Sequence, residues 1–283
     1  MSLSEALSTL RGRLFSRHDT DALDNRDETV MEAMAGLVER TVEPYHRAEV
    51  RGIERVPEGG ALYVGNHNSW AYMPETYLLS LAAYRRFGIE AVPYGLMHEV
   101  MLELPIINPL MTSLGAVRAS HENGERLLSA GKKVLVFPGG DVESLRPFKD
   151  RDRVVFDDRS GFVRLALRTG VPIVPVVAAG AHSTFVIVDD MRWLAEAIGA
   201  KRFLRIKAWP LTLSMPWGIT LGPTFPFLPF PSKILMEVLE PVRFARTGAE
   251  AAEDENYVKS CARAVQENMQ AALTRLAAER RGG

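Results

Sequence analysis

Apolar and polar positions along this chain follow two periods, and segments with each period take turns. Pro74 to Phe87 has helical spacing, whereas Ile173 to Ala178 is almost wholly apolar, as in a strand buried on both faces. This alternation predicts an α/β layer fold, with a central mixed, largely parallel sheet flanked by helices and an N-terminal helical preface. The predicted helical segments cover 28–42, 74–87, 96–113, 122–130, 161–168 and 249–280, and the predicted strands cover 48–53, 61–64, 90–94, 116–118, 133–137 and 173–178.

The N-terminal residues carry leucines at helical spacing. Those within 2–16 predict a short amphipathic helix on the surface. We expect this helix to pack on its own domain, and contact with a membrane is the alternative. The predicted division is a helical, membrane-facing or domain-packed segment over 1–45 and a single domain over 46–283.

Composition narrows the partners and the compartment. The 283 residues include 34 Lys and Arg against 35 Asp and Glu, so the net charge of −1 argues against a nucleic-acid partner. Cys261 is the single cysteine and forms no internal disulfide, which favours a reducing compartment. The first fourteen residues are polar and lack the apolar core of a signal peptide. We expect a cytoplasmic protein, peripheral on a membrane.

A long uncharged stretch covers 208–232. Its prolines exclude a continuous membrane-spanning helix. Its aromatic residues predict either an apolar rim that touches a bilayer or an irregular segment wrapped on the core, and the second reading is favoured for most of them. These aromatic residues are Trp217, Phe225, Phe227 and Phe230.

His67 is the first candidate for chemistry, because it follows the apolar strand at 61–64. A histidine at the end of a strand is a possible general base, although taken alone it is more often a core or capping residue. Five residues further on stands Tyr72, and the nearest acid downstream is Glu75. Glu75 follows Pro74 at a predicted helix start, where a carboxylate is also favoured without any catalytic role.

Four short segments then occur in a fixed order, and together they resemble the glycerolipid (lysophospholipid) acyltransferase superfamily. The Gly-Gly-x-x-Glu pattern at 139–143 and the Arg-Ser-Gly-Phe that follows it resemble the monoacylglycerol and diacylglycerol acyltransferase-like branch. The resemblance covers roughly 45–245. The four segments are Asn66-His67, Gly115 to Arg118, Phe137 to Glu143 and Val171 to Val176.

The resemblance implies transfer of an acyl chain from acyl-CoA, or from an acyl carrier protein, to a glycerolipid hydroxyl. His67 is the implied general base, which a carboxylate orients as in a serine-hydrolase triad. The superfamily's aspartate position holds Tyr72 here, whose phenol stays neutral. Glu75 stands at a longer spacing that some members of the branch use, so we expect Glu75 to take that role.

The remaining motif residues are expected to bind substrate. Paired glycines allow a close approach of backbone amides to an oxyanion or a phosphate, and arginine grips phosphate through two parallel hydrogen bonds. Glu143 is expected to orient the acceptor, to hold Arg118 or Arg146 in place, or to pair with Arg159. The substrate-binding candidates are Asn66, Arg118, Gly139, Gly140, Glu143 and Arg146.

Neither a metal nor a bound cofactor is expected, with acyl-CoA as co-substrate and a glycerolipid and a membrane surface as partners. Two alternatives stay open. The first is a thioester or lipid hydrolase that uses the same histidine with water, and the second is a lipid-binding protein that has lost catalysis. Tyr72 keeps the second alternative open.

Overall fold

The computed structural model describes residues 17–69, 72–199, 207–222, 224 and 226–282, so the helix predicted over 2–16 lies outside the described residues. The helices are α1 (Glu28–Arg40), α2 (Val42–Tyr45), α3 (Pro74–Phe87), α4 (Glu99–Leu102), α5 (Ile107–Ser113), α6 (His121–Ser129), α7 (Gly140–Ser144), α8 (Gly161–Thr169), α9 (Arg192–Ala197), α10 (Ala249–Glu253) and α11 (Glu255–Gly282). The strands are β1 (Glu49–Arg51), β2 (Ala61–Gly65), β3 (Tyr94–Met97), β4 (Ala116–Arg118), β5 (Lys133–Val136), β6 (Ile173–Ala179), β7 (Val186–Asp189), β8 (Leu211–Ser214), β9 (Gly218–Leu221) and β10 (Leu235–Val238).

Seven strands form the main sheet, in the order β1-β10-β6-β2-β5-β3-β4. The five strands from β6 to β4 are parallel, and β10 is antiparallel to β6 and parallel to β1. The sheet is therefore mixed and largely parallel, as predicted. Because the parallel strands share one direction, the loops after β2, β5 and β6 emerge at the same edge of the sheet.

Helices cover both faces of the main sheet, since its central strands are buried on both sides. On one face, Val38 of α1 and Leu78 of α3 pack against Tyr63 and Val174. The opposite face carries α6, α8, α10 and α11, with Leu273 of α11 in the same apolar cluster as other strand residues. Residues 28–45 thus pack in the same core as the strands that carry the site.

Several predicted boundaries move: the helical segments expected over 96–113 begin at Glu99, after the strand Tyr94–Met97, and the strand expected over 48–53 covers only Glu49–Arg51. Two further changes have a clear local reason. The strand expected at 90–94 begins at Tyr94, because Pro93 has no N–H for the ladder and Ile89–Ala91 forms a 3₁₀ turn instead. The single C-terminal helix expected over 249–280 is broken at Asp254, whose carboxylate accepts the Tyr257 N–H at 3.0 Å and caps α11.

A second sheet, which we call the small sheet, consists of β7, β8 and β9 in antiparallel order and was not predicted. Leu213 of β8 lies opposite Ile219 of β9, and Leu211 lies opposite Leu221. The side chains of Ile219 and Leu221 are 73% and 55% exposed, while Thr212 faces inward. The uncharged stretch thus forms a hairpin with an apolar outer face, rather than an irregular segment on the core.

Phe227 is the exception, because it packs on buried Phe185 with ring centroids 4.6 Å apart. Phe225 lies outside the described residues. No helix in the described ranges is long and apolar enough to cross a bilayer.

Candidate active site

The backbone of His67 is fixed on both sides by two charged residues. Its N–H donates to Oε2 of Glu143 at 2.9 Å, and its carbonyl oxygen accepts from Nη1 of Arg146 at 2.6 Å. Glu143 and Arg146 come from the segment after β5, whereas His67 follows β2, so the pair joins the ends of two neighbouring strands. Backbone hydrogen bonds to charged groups are among the stronger ones in proteins. The position of His67 at the sheet edge is therefore well determined.

Arg146 is only 3% exposed, and its guanidinium uses all five N–H donors inside the protein. Besides His67, the acceptors are the carbonyl of Glu143 at 2.5 Å, the side chain of Asn68 at 3.2 Å, and the carbonyls of Asp150 and Arg151. The expectation that Arg146 binds substrate does not fit this geometry, because no donor remains for a phosphate. Arg146 holds the loop of His67 from within.

Glu143 is fully buried, and its second oxygen accepts the Val155 N–H at 3.0 Å. Burial raises the pKa of Glu143 to about 7, against the lowering effect of the Arg146 charge and of the hydrogen bond from His67. Of the arginines considered as partners, Arg146 donates to the backbone carbonyl of Glu143, and neither Arg118 nor Arg159 forms a hydrogen bond with its carboxylate among the described residues. Its expected contact with the acceptor is replaced by contacts with backbone N–H groups.

The imidazole of His67 stacks on Phe137, with ring centroids 4.9 Å apart. Its Nδ1 is enclosed and has no hydrogen-bond partner among the described residues, while the residue as a whole is partly exposed. Burial lowers the pKa of His67 to about 3, and the charge of Arg146 acts in the same direction. The ring is therefore neutral at pH 7, which is the form that a general base must have before it accepts a proton.

Glu75 lies near the loop of His67 without bonding to its ring. Its Oε1 accepts the Asn68 N–H at 3.2 Å, and its Oε2 is enclosed and has no partner among the described residues. It borders a small cavity that has room for about one water molecule. Burial raises the pKa of Glu75 to about 7. The predicted hydrogen bond between Glu75 and His67 is absent from the described contacts.

Tyr72 points to a different partner. Its hydroxyl bonds Nε2 of buried His46 at 2.9 Å, while Nδ1 of His46 donates to the Ser232 carbonyl at 3.2 Å. Tyr72 therefore has a structural partner of its own, and it does not stand in for an aspartate beside His67.

Asn66 is also engaged within the fold. Its Oδ1 accepts the Ala178 N–H at 2.8 Å, and its Nδ2 donates to the Ala178 carbonyl and to Asn68. These bonds continue the pairing of β2 with β6 beyond the last strand residue. Asn66 therefore has little hydrogen-bonding capacity left for the substrate contact that was expected of it.

His182, after β6, received no role from the sequence. Its Nδ1 lies 2.6 Å from the Asn68 carbonyl, and its Nε2 lies 3.0 Å from the Arg146 carbonyl. Burial lowers the pKa of His182 to about 3, so the neutral ring donates one hydrogen bond, and the shorter contact to Asn68 is the better candidate. The only signal in the sequence was a histidine after an apolar strand.

The two glycines after β5 are needed for packing. A Cβ at Gly139 would collide with Val155 and Glu143, and one at Gly140 would collide with the Arg159 guanidinium. The Gly140 N–H donates to the Phe137 carbonyl at 3.2 Å, which leaves only the Gly139 N–H as a candidate for the predicted oxyanion contact. Arg159 bonds Asp141 at 2.8 Å and not Glu143, as was considered.

Arg118 ends β4, far along the sheet from β2. Its Nε and Nη2 form a two-point ion pair with Asp21, at 2.8 and 2.7 Å. Asn123 donates to the same carboxylate, and the Arg118 N–H donates to the Thr20 carbonyl at 2.9 Å. Asp21 therefore occupies the two N–H groups of Arg118 that would bind a phosphate.

Comparison with known proteins gives a match to a family model described as Acyltransferase over residues 47–179. An uncharacterized protein of Mycobacterium leprae is 31% identical over 239 residues, which cover 84% of this chain and 62% of the relative. Diacylglycerol O-acyltransferase 2B of Umbelopsis ramanniana is 26% identical over 209 residues, which cover 70% of this chain and 59% of that enzyme. The chain thus spans about three fifths of the length of these curated relatives.

Among solved structures, the 1-acyl-sn-glycerophosphate acyltransferase PlsC of Thermotoga maritima resembles this chain with a TM-score of 0.53 and 18% identity. The match covers 96% of this chain and 88% of that one. At this identity the likeness concerns the fold alone, and it confirms the predicted α/β architecture.

Proposed function

We propose that this chain is a member of the glycerolipid acyltransferase superfamily, as its four motifs predict, and that it transfers a fatty acyl group from a thioester donor to a hydroxyl of a glycerolipid. The observation that carries the proposal is the placement of His67. A neutral imidazole stands at the edge of the sheet in a partly exposed residue whose Nδ1 is enclosed, and its backbone is fixed by Glu143 and Arg146. A general base needs this combination of accessibility and fixed position.

In the proposed reaction, Nε2 of His67 accepts the hydroxyl proton of the acceptor as its oxygen attacks the thioester carbonyl. A C–O bond forms, and the carbonyl electron pair moves onto oxygen. When this intermediate collapses, the C–S bond breaks, and the sulfur leaves with the bonding pair and takes the proton back from His67. The products are an ester and a free thiol, with no net gain or loss of protons.

Glu75 is the proposed orienting carboxylate. The proton of neutral His67 must sit on Nδ1 for Nε2 to act as base, and Nδ1 and Oε2 of Glu75 are both enclosed atoms without a partner among the described residues. Pairing them on substrate binding would stabilise the imidazolium, because a carboxylate beside an imidazole favours its charged form.

For the acceptor we propose a lipid without a phosphate, such as a mono- or diacylglycerol. Asp21 neutralises Arg118 through two hydrogen bonds, and Asn123 holds the carboxylate in place. A phosphorylated acceptor would have to displace Asp21 before Arg118 could bind it. Replacing Asp21 with Asn, which keeps the shape and removes the charge, should raise the use of lysophosphatidate relative to diacylglycerol.

We further propose that the exposed face of the small sheet contacts the membrane from which the acceptor is drawn. Leu213, Ile219 and Leu221 form an apolar face, and Trp217 lies in the turn between the two strands. Large apolar side chains clustered on one face of a protein commonly mark a membrane or protein contact.

The test measures thiol release from palmitoyl-CoA and from a palmitoylated acyl carrier protein, without acceptor and with diacylglycerol, monoacylglycerol or lysophosphatidate, and identifies the ester product by mass spectrometry. Release that depends on an acylglycerol and yields the matching ester supports the proposal. Release without acceptor, with free fatty acid as the product, would indicate a hydrolase. Lipid binding without release from either donor would indicate a protein that has lost catalysis.

A further inference from the structure

Three arginines without an acidic partner lie in segments that come together at the edge of the main sheet where β6 ends. Across the described ranges, Arg47, Arg151 and Arg280 form no ion pair, whereas most of the arginines around them do. This group and Arg118 lie on opposite sides of His67, which follows the central strand β2. On one side of β2 come β6, β10 and β1, and on the other side the sheet ends with β4, which carries Arg118.

The sheet order brings Arg47 to this place. It lies two residues before β1, and the segment 232–234 lies directly before β10, to which β1 is parallel. Because β10 is antiparallel to β6, both strands begin where β6 ends. A hydrogen bond of 3.1 Å from the Ile234 N–H to the His46 carbonyl ties the two segments together beside Arg47.

Arg280 reaches the same segment from the end of α11. Its Nε donates to the Lys233 carbonyl at 2.7 Å, and its Nη2 donates to Oγ of Ser232 at 2.8 Å. The guanidinium packs on Gly180, where a Cβ would collide with it. Arg280 is thus held in position while Nη1 makes no bond in the described part of the chain.

Arg151 completes the group from the turn after β5. Its guanidinium lies over the Phe148 ring at 4.3 Å, and its carbonyl accepts from Arg146 at 2.9 Å. The acid next to it, Asp152, is engaged by Arg281 at 2.9 Å, which ties this turn to the end of α11.

The other nearby acids are also engaged. Glu49 pairs with Arg51 at 2.8 Å and with Lys233 at 3.1 Å, Glu279 pairs with Arg51 at 2.7 Å, and Asp150 pairs with Arg153 at 3.3 Å. The pKa of Arg280 is lowered by partial burial, and although Asp152 opposes this, the positive charges of Arg151, Arg281 and Arg47 add to it. Three positive side chains thus act on Arg280 together with one acid, and a bound anion would reduce the repulsion among the arginines.

We infer that Arg47, Arg151 and Arg280 bind the phosphate groups of the acyl donor, a nucleotide-bearing thioester such as acyl-CoA. Arginine is suited to phosphate, because its planar guanidinium forms parallel hydrogen bonds to the oxygens. The site joins the reaction centre through Gly180, His182 and Asn68, and the pantetheine arm of CoA separates its phosphates from its sulfur. The inference that these arginines bind phosphate does not depend on the proposed function. The assignment of that phosphate to the acyl donor does.

The first test needs no catalysis. Binding of adenosine 3′,5′-bisphosphate, the phosphate-rich part of CoA, is measured by calorimetry for wild type, Arg280→Gln, Arg47→Gln and a control, Arg246→Gln. Arg246 pairs with Asp254 at the opposite edge of the sheet. We expect each of the first two changes to weaken binding roughly tenfold, as for the loss of one charge-assisted contact, and the control to bind as wild type.

Arg47→Gln is included because it should leave the fold intact, since the Arg47 side chain donates no hydrogen bond in the described residues. No binding by wild type, or equal binding by wild type and both variants, would overturn the site. Binding retained by His67→Ala but lost in Arg280→Gln would keep the site even if acyl transfer failed.

The second test identifies the source of the phosphate. KM is compared for palmitoyl-CoA and for the palmitoyl thioester of N-acetylcysteamine, which lacks phosphate. A rise in KM for palmitoyl-CoA alone in Arg280→Gln supports the donor site. An equal rise for both donors, or a rise only for a phosphorylated acceptor, would contradict it.

Discussion

The loop of His67 and the small sheet invert the usual distribution of polar and apolar groups in opposite ways. Around His67, charged side chains are buried: Glu143 and Arg146 are 0% and 3% exposed. On the small sheet, apolar side chains such as Ile219 face outward. Buried charge and clustered exposed apolar surface are both costly to a fold, and each is usually retained for a reason. We propose that the first region fixes a reactive group and that the second offers a surface to the membrane.

The largest loss of stability is expected from a substitution in the buried charged network around His67. Arg146→Met removes five donors at once and leaves Glu143 buried without its countercharge, which we expect to destabilise the fold by about 3–5 kcal/mol. Urea unfolding measures the change. Arg153→Met is the matched control, because Arg153 is 69% exposed in its pair with Asp150 and should matter by less than about 0.5 kcal/mol.

A loss in Arg146→Met no larger than that of Arg153→Met would show that the buried network does not hold the loop. Arg146→Lys sharpens the test, since lysine keeps the charge but cannot reach all five acceptors. We expect it to fall between the control and Arg146→Met.

The next effect concerns Glu75 and pH. Its pKa in the fold is about 7, above its value in an unfolded chain, so the stability given by the neutral carboxyl is full below about pH 4.5 and is lost as pH rises through 7. The new side chain in Glu75→Gln cannot ionise. We therefore expect the free energy of unfolding of this variant to rise relative to that of wild type by roughly 3 kcal/mol as the pH goes from 4.5 to 8.

Urea midpoints of both proteins at pH 5 and pH 8 measure this gain. Burial lowers the pKa values of His67 and His182, and the stability they contribute is lost as pH falls from about 6.5 towards 3, but this is common to both proteins and cancels. A constant difference between wild type and variant would mean that Glu75 is ionised throughout.

The exposed side of the comparison is tested on the small sheet. Ile219→Ser with Leu221→Ser should leave the urea midpoint within error of wild type, because both side chains face solvent. Flotation with phosphatidylcholine and phosphatidylglycerol vesicles should show at least about a tenfold loss of binding, as expected for each large apolar side chain withdrawn from a membrane. Thr220→Ser, on the opposite face of the same strand, is the control. Equal flotation of all three proteins would exclude this face as the membrane contact.

The smallest effect is expected at Tyr72. Tyr72→Phe removes one hydrogen bond to buried His46, which should cost about 1 kcal/mol in urea unfolding and leave turnover within about twofold of wild type. A hundredfold loss of turnover would place the Tyr72 hydroxyl in the chemistry. A large gain in Tyr72→Asp would mean that the site is degenerate.

Periodicity predicted the alternating elements well, because β2, β6 and α3 bury strongly apolar faces that leave a clear pattern. It did not predict the small sheet. The apolar residues of this sheet face outward, and the interpretation of the stretch depended on its prolines and its lack of charge. Of the motif residues, Glu143 and Arg146 contact the backbone of His67, whereas Arg118 lies far along the sheet with Asp21. The motifs could not predict that Arg146 and Glu143 serve backbone groups, because the partners of a buried charge depend on loops such as 150–155 that are distant in sequence.

The most direct test of the central claim is the turnover of His67→Ala with palmitoyl-CoA and the best acylglycerol acceptor, together with its urea midpoint and its binding of adenosine 3′,5′-bisphosphate. If His67 is the general base, turnover falls by at least about a hundredfold, while binding stays as in wild type and the protein remains folded. Turnover within about threefold of wild type in a folded protein would contradict the assignment of His67.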